Sequence, residues 1–165
     1  MRARRGLRAL VLTVVATVGL AGCDKPVDLT KALQIEEVSS GWHDAGMVEG
    51  KNKLVPVVTF KVKNVSDQAL NVLQMNVLFR RVSEEATEWG SGFVTVAGSS
   101  GLKAGASSDP LTVTSQLGYT GTEARAEMMQ NSQFVDAKVQ LFAKYASTQW
   151  VKIGEYPVTR TLLSK

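Results

Sequence analysis

The stretch Leu54-Val55-Pro56-Val57-Val58-Thr59-Phe60-Lys61-Val62-Lys63 decides the fold of this 165-residue chain. Successive side chains of an extended backbone point to opposite faces of a sheet, so alternate residues share a face. One face of this stretch is entirely apolar: Leu54, Pro56, Val58, Phe60 and Val62. The other face combines Val55 and Val57 with Thr59, Lys61 and Lys63. The pattern predicts a β-strand with one face against a core.

The same alternation recurs elsewhere along the chain. It covers 73–80, and again 135–145, which is followed by turn residues and a last strand from Trp150. Turn residues at 64–67 follow the first strand and predict a hairpin with the second. Shorter strands are predicted at 32–38, 92–97 and 111–115, and the good helix formers of 122–130 predict one short helix.

About seven short strands with turns between them are typical of an all-β, antiparallel two-sheet sandwich. Residues 57–67, 70–79 and 102–107 resemble the immunoglobulin-like sandwiches of bacterial envelope lipoproteins, notably the FxLYD-like group. Val77-Leu78-Phe79-Arg80 stands where that group has an aromatic-aspartate pair. The resemblance covers roughly residues 54–116 and implies an extracytoplasmic binding or scaffolding domain without catalytic residues.

The first 22 residues have the three parts of an export signal. Four arginines precede the apolar run Ala9 to Leu20, and small residues follow it. Twelve helical residues reach about 18 Å, which is shorter than a hydrocarbon core of about 30 Å. Leu20-Ala21-Gly22-Cys23 matches the bacterial lipobox, so the chain resembles a lipoprotein precursor.

This resemblance implies cleavage between Gly22 and Cys23 and attachment of fatty acyl chains such as palmitate at Cys23, which would hold the protein on a membrane. It divides the chain into signal peptide 1–22, lipidated tether 23–31 and sandwich 32–165. The expected location is the periplasmic face of a bacterial envelope membrane. Asp24 resembles the residue that retains lipoproteins in the inner membrane. An ordinary secretory signal with an incidental cysteine is the alternative.

The charge of the mature chain is balanced. The net charge of +4 equals the charge of the four arginines in the signal, Arg2, Arg4, Arg5 and Arg8. We therefore predict no nucleic-acid partner. Cys23 is the only cysteine, so the core rather than an intrachain disulfide must stabilise the domain.

Candidates for catalysis and for metal binding are few. His43 is the only histidine; it lies beside Asp44 in a predicted glycine-rich connection, 39–53, and neighbouring side chains on an extended chain point apart. No serine is marked as its partner, so we predict neither an enzyme nor a cofactor. One histidine and a lipidated cysteine make a metal site unexpected. The acidic run 84–88 is predicted to be a solvated turn rather than a calcium loop.

Three aromatic residues are candidates for binding: Trp42, Trp89 and Tyr119. Trp and Tyr offer large contact area with a polar tip, although core packing is the alternative for each. Trp42 and Tyr119 lie in predicted loops. The leading hypothesis is a lipid-anchored, non-enzymatic interaction or scaffold module that binds an envelope protein. The alternative is a receptor for a small ligand or glycan, with these rings forming a stacking pocket.

Overall fold

The computed structural model of the protein describes residues 26–84 and 86–164. These residues form two antiparallel four-stranded sheets and two one-turn helices, which confirms the predicted all-β sandwich. The elements are α1 (Leu29–Ala32), β1 (Leu33–Val48), β2 (Lys51–Asn64), β3 (Leu73–Arg81), β4 (Glu88–Ala97), β5 (Leu111–Thr114), β6 (Tyr119–Gly121), α2 (Arg125–Met128), β7 (Ala137–Tyr145) and β8 (Val151–Pro157). The signal peptide 1–22, with its lipobox, and Cys23 lie outside the described residues.

The first sheet is built around β2. This strand pairs with β1 along one edge, and with β5 and then β6 along the other. Leu54, Val58, Phe60 and Val62 are fully buried, as the alternation predicts. Val55 and Val57 on the opposite side are buried as well. The central position of β2 in this sheet explains why apolar side chains are buried on both of its faces.

The second sheet has the order β4-β3-β7-β8. Its inward side chains are fully buried: Leu73, Met75, Val77 and Phe79 on β3, and Val139, Leu141 and Ala143 on β7. The alternations at 73–80 and 135–145 and the pairing of the last two strands are confirmed. The predicted hairpin between 54–63 and 73–80 is wrong, because β2 and β3 belong to different sheets. Their apolar faces belong to one core cluster.

Strand β1 extends through much of the predicted connection 39–53. The turn is confined to Glu49 and Gly50, both with positive φ. Gly41 lies within the strand, where an added Cβ atom would be 2.8 Å from the carbonyl oxygen of Thr161. The glycine therefore permits close backbone approach, which is a known use of glycine in strands. Trp42 N donates to Thr161 O at 2.8 Å, so the C-terminal segment 158–163 covers this edge of β1.

The two short helices lie at opposite ends of the sandwich. Asp28 caps α1 by accepting a hydrogen bond from Thr30 N at 3.1 Å, and Leu29 is buried, so packed structure begins within the stretch predicted as a tether. The predicted helix near 122–130 is confirmed as α2, which buries Met128. No helix among residues 26–84 and 86–164 is long and apolar enough to cross a bilayer.

Strand directions define two ends, which carry different connections. The N-terminal end has α1 and the connections 65–72, 98–110 and 146–150, whereas the far end has the β1–β2 turn, the connection 82–87 and the segment 122–136. Hydrogen bonds close both sides of the sandwich between its sheets. Ser40 Oγ donates to Pro157 O at 3.0 Å, and Gln116 Nε2 donates to Ser91 O at 2.7 Å.

Candidate functional site

The three aromatic residues singled out in the sequence come together at the far end. Trp42 of β1 contacts Trp89 of β4, with ring centroids 5.8 Å apart. Both Trp42 and Tyr119 pack against Phe134, at centroid distances of 4.6 and 4.9 Å and in edge-to-face geometry. Such arrangements add stabilisation beyond the area that they bury. Phe134 is thus the centre of a four-ring cluster.

This cluster lies mainly inside the protein. Trp42 has no exposed surface, Trp89 is 5% exposed, and Tyr119 is half-buried. Trp42 and Tyr119 lie in strands β1 and β6, so their placement in loops was wrong, and β6 is an eighth strand beyond the seven predicted. Tyr119 pairs with Leu54 of β2, a long-range contact that local sequence does not reveal. The rings of Trp42, Trp89 and Tyr119 are packed beneath the protein surface and do not form an open stacking pocket.

A cavity of about 350 Å³ lies beside Phe134, above these rings. It lies between the connection after β3 and the segment before β7, and is lined by Val82, Ser83, Ser132, Gln133, Phe134, Val135 and Asp136. Phe134 was not predicted as a site residue from the sequence. The signal in the sequence was the position of Phe134, an aromatic residue directly before the alternating residues of β7. We call this feature the Phe134 cavity.

Arginines flank the aromatic cluster at two points. The Arg160 guanidinium lies 5.1 Å from the Phe134 ring centroid and donates to both carboxylate oxygens of Asp136, at 2.6 and 2.9 Å. This bidentate contact lowers the pKa of Asp136 below its usual value and raises the pKa of Arg160. Arg81 lies over Trp89, also at 5.1 Å. Both contacts are cation–π interactions.

Two of the remaining polar candidates, Asp44 and Glu84, form ion pairs with arginines. His43 lies opposite Val55 in the β1–β2 ladder, and Asp44 forms an ion pair with Arg125 at 2.5 Å. Glu84 contacts Arg81, while Glu85 is outside the described residues. Among the residues that the structure describes, no three His, Cys, Asp or Glu side chains are grouped so that they could hold a metal ion.

A second apolar surface lies on the outer face of the β4-β3-β7-β8 sheet. Phe93 and Trp150 meet edge to face with centroids 5.7 Å apart, and they are 56% and 38% exposed. Lys144 Nζ lies 5.8 Å from the Trp150 ring centroid. We call Phe93 and Trp150 the aromatic pair. Trp150, predicted as the start of the last strand, directly precedes β8.

Comparisons with known proteins give no family assignment. No protein-family model matches the chain, and no curated protein matches it. Two of the solved structures that are similar to the chain are each 12% identical to it. One is a Northeast Structural Genomics Consortium target, SoR45, with a TM-score of 0.47 over 79% of this chain and 89% of that one. The other, described as an ApaA protein from Bordetella pertussis, has a TM-score of 0.44 over 76% and 91%.

Proposed function

We propose that this protein is a lipid-anchored, non-enzymatic module of the bacterial envelope that binds another protein through its far end. The observation that carries the proposal is the Phe134 cavity, an open depression on a rigid aromatic base. Asn64 and Ser115, two buried polar residues, are engaged in internal hydrogen bonds. They serve the fold, and neither lines the Phe134 cavity.

The Phe134 cavity has the build of an anchor site for a side chain. Phe134 is 4% exposed and is held by Trp42, Tyr119 and the Arg160 guanidinium, so its position does not depend on a ligand. Val82, which also lines the cavity, is 49% exposed. A preformed depression loses little freedom on binding, and anchor side chains that become buried supply much of the affinity of protein interfaces.

The proposed anchor fits this use of the far end. Cys23 precedes Asp28, the cap of α1, by five positions, and α1 lies at the N-terminal end of the sandwich. A lipid at Cys23 therefore leaves the Phe134 cavity on the side away from the membrane. The lipobox resemblance supports the anchor, and the resemblance to envelope sandwiches supports the binding role. Asp24 favours the inner membrane, on its periplasmic face.

A small polar ligand or glycan is the second candidate occupant of the same cavity. Ser83, Ser132 and Gln133 supply hydroxyl and amide groups around the Phe134 ring. An aromatic floor with a few convergent polar groups is typical of small-ligand sites. Trp42 and Trp89 would act here only as support, because they are buried.

The test is to fill the cavity. Ser132→Trp places a large side chain in it, and Thr112→Trp on exposed β5 is the matched control. Each variant, with an affinity tag, is crosslinked in cells and captured. Loss of one co-captured envelope protein with Ser132→Trp alone supports the protein partner. Unchanged capture in both variants contradicts this site, and native mass spectrometry of the purified protein with glycans then tests the second occupant.

The anchor has its own test. Incorporation of a palmitate analogue by the wild-type chain, and its loss in Cys23→Ala, is the expected result. A Cys23→Ala protein that keeps the label and stays in the membrane fraction would overturn the anchor.

A further inference from the structure

The N-terminal end of the sandwich, together with the adjoining outer face of the β4-β3-β7-β8 sheet where the Trp150 ring packs, exposes three large apolar side chains. Val65 directly follows β2, Val72 directly precedes β3, and Trp150 directly precedes β8. They are 45%, 44% and 38% exposed. The three residues come from separate segments of the chain, yet the strand pairings bring those segments to one end.

The backbone holds Val72 in place. Its φ is +52°, a left-handed conformation that is a genuine outlier for a β-branched residue. Val72 N donates to Gly98 O at 3.0 Å, and Val72 O accepts from Ala146 N at 3.3 Å. Val72 therefore joins the connections 65–72, 98–110 and 146–150. Strained residues of this kind cluster at functional positions.

Trp150 has the surroundings of a side chain at a membrane interface. Its ring packs against exposed Phe93, and Lys144 lies near its face. Tryptophan concentrates at the headgroup level of bilayers, where its amphipathic ring has both apolar and polar contacts. Charge at this end is mixed, because the highly exposed Lys31 lies 3.3 Å from Asp28. Any contact with lipid would therefore depend on apolar side chains more than on net charge.

The chain between the anchor and the domain is short. Cys23 and Asp28 are five positions apart, so the chain between them spans at most about 18 Å when fully extended. A lipid at Cys23 would thus keep the N-terminal end close to the bilayer surface. A covalent anchor also raises the effective concentration of lipid at the N-terminal end. A weak contact between this end and the bilayer is then maintained for most of the time.

We propose that the N-terminal end rests on the membrane, with Val65, Val72 and Trp150 at the level of the lipid headgroups. This inference rests on the proposed anchor at Cys23. It gives the domain a fixed orientation, with the Phe134 cavity facing away from the bilayer. The occupant of this apolar end is a phospholipid surface.

Trp150 provides a selective reporter. Of the three tryptophans in the chain, Trp42 is fully buried and Trp89 nearly so. Quenching by acrylamide in water, or by brominated acyl chains in a bilayer, will therefore act chiefly on Trp150. The experiment uses residues 23–165 coupled through the single cysteine to a maleimide phospholipid in phosphatidylcholine–phosphatidylglycerol vesicles. Chemical coupling makes the result independent of whether cells lipidate Cys23.

We expect acrylamide quenching to fall at least twofold when the coupled protein is on vesicles, and brominated lipids to quench the emission. Trp150→Phe should abolish both changes. The double substitution Val65→Asp and Val72→Asp should restore acrylamide quenching to its solution value. The matched control, Met47→Asp with Val48→Asp at the far end, should not.

Equal quenching on vesicles and in solution, with the protein still coupled, would overturn the membrane contact while leaving the anchor untouched. Protection of Trp150 from acrylamide that appears only after envelope proteins are added would also overturn the membrane contact, because a protein would then cover this end. Circular dichroism and thermal unfolding of each variant confirm that the sandwich is intact.

Discussion

Arg160 and Asp136 form a bidentate ion pair that ties the C-terminal segment to the far end. Nε and Nη2 of Arg160 donate to the two carboxylate oxygens at 2.6 and 2.9 Å. Asp136 also lines the Phe134 cavity, and the same guanidinium lies over the Phe134 ring. Arg160 thus contacts two residues that line the proposed site, Asp136 and Phe134.

The first prediction concerns the pKa of Asp136. Arg160 holds it below the usual value of 3.8, so Arg160→Met should raise it towards that value. A carboxyl with a depressed folded pKa adds stability above its unfolded pKa, and this stability is lost as pH falls through the folded pKa. Acid unfolding of the variant should therefore depend less on pH below about 4. NMR titration of Asp136 provides the measurement.

The effect of Arg160→Met on stability at neutral pH should be small, about 1 kcal/mol or less, because both side chains of the pair are partly exposed. Lys61→Met removes the partly exposed Lys61–Glu37 pair and is the matched control. It should leave the Asp136 titration unchanged. An Asp136 pKa that does not move in Arg160→Met would contradict the assigned role of the arginine.

The second prediction concerns Asn64, which is fully buried between the connections 65–72 and 98–110. Its Nδ2 donates to Gln68 O and Leu102 O, both at 2.8 Å, and its Oδ1 accepts from Ser66 N and Ser66 Oγ. Asn64→Ala leaves buried groups without partners, so it should cost about 2–3 kcal/mol. Denaturant unfolding measures the loss. Asn76→Ala on the outer sheet face should stay within about 0.5 kcal/mol.

The third prediction contrasts two glycines. An added Cβ at Gly118 would lie 2.0 Å from the carbonyl oxygen of Leu54, whereas nothing lies within 4 Å of the same position at Gly98. Gly118→Ala should therefore destabilise the protein by about 2 kcal/mol or more, since backbone must move. Gly98→Ala should be neutral or slightly stabilising. Equal unfolding midpoints for the two variants would rule out the close approach of the β5–β6 connection to β2.

The fourth prediction concerns the strained backbone at Val72. Glycine accepts a positive φ at no steric cost, whereas an L-residue with a Cβ pays about 1–2 kcal/mol. After the entropy cost of glycine, Val72→Gly should stabilise the domain by about 0.5–1 kcal/mol. Val65→Gly, outside the positive-φ region, should instead destabilise it. A less stable Val72→Gly protein would show that the valine side chain contributes more to the fold than its conformation costs.

The sequence predicted those elements whose signal is local. Alternation identified β3 and β7 because each strand has one buried and one outer face, and it identified the hairpin of β7 and β8. Pairing between distant segments was not predictable in this way. β2 pairs with β1, β5 and β6, and the turn residues after it lead across the core to the other sheet.

The candidate site was predicted only in part, because it too depends on contacts between distant segments. Trp42, Trp89 and Tyr119 were identified by side-chain type, and they do converge. Their burial depends on the length of β1 and on the pairing of β6 with β2. Glycines within and beside these strands made both segments resemble loops in the sequence. Phe134 gave no signal of its own, because its importance comes from contacts with residues far away in the chain.

Site-specific photocrosslinking in cells tests most directly the claim that the far end of an anchored domain binds a protein. A photoreactive residue is placed at Gln133 on the cavity, and at Thr112 on exposed β5 as the control. We predict one dominant crosslinked envelope protein from Gln133, none from Thr112, and loss of the Gln133 product in Cys23→Ala. Crosslinks that are absent at Gln133, or equally strong at Thr112, would contradict the account.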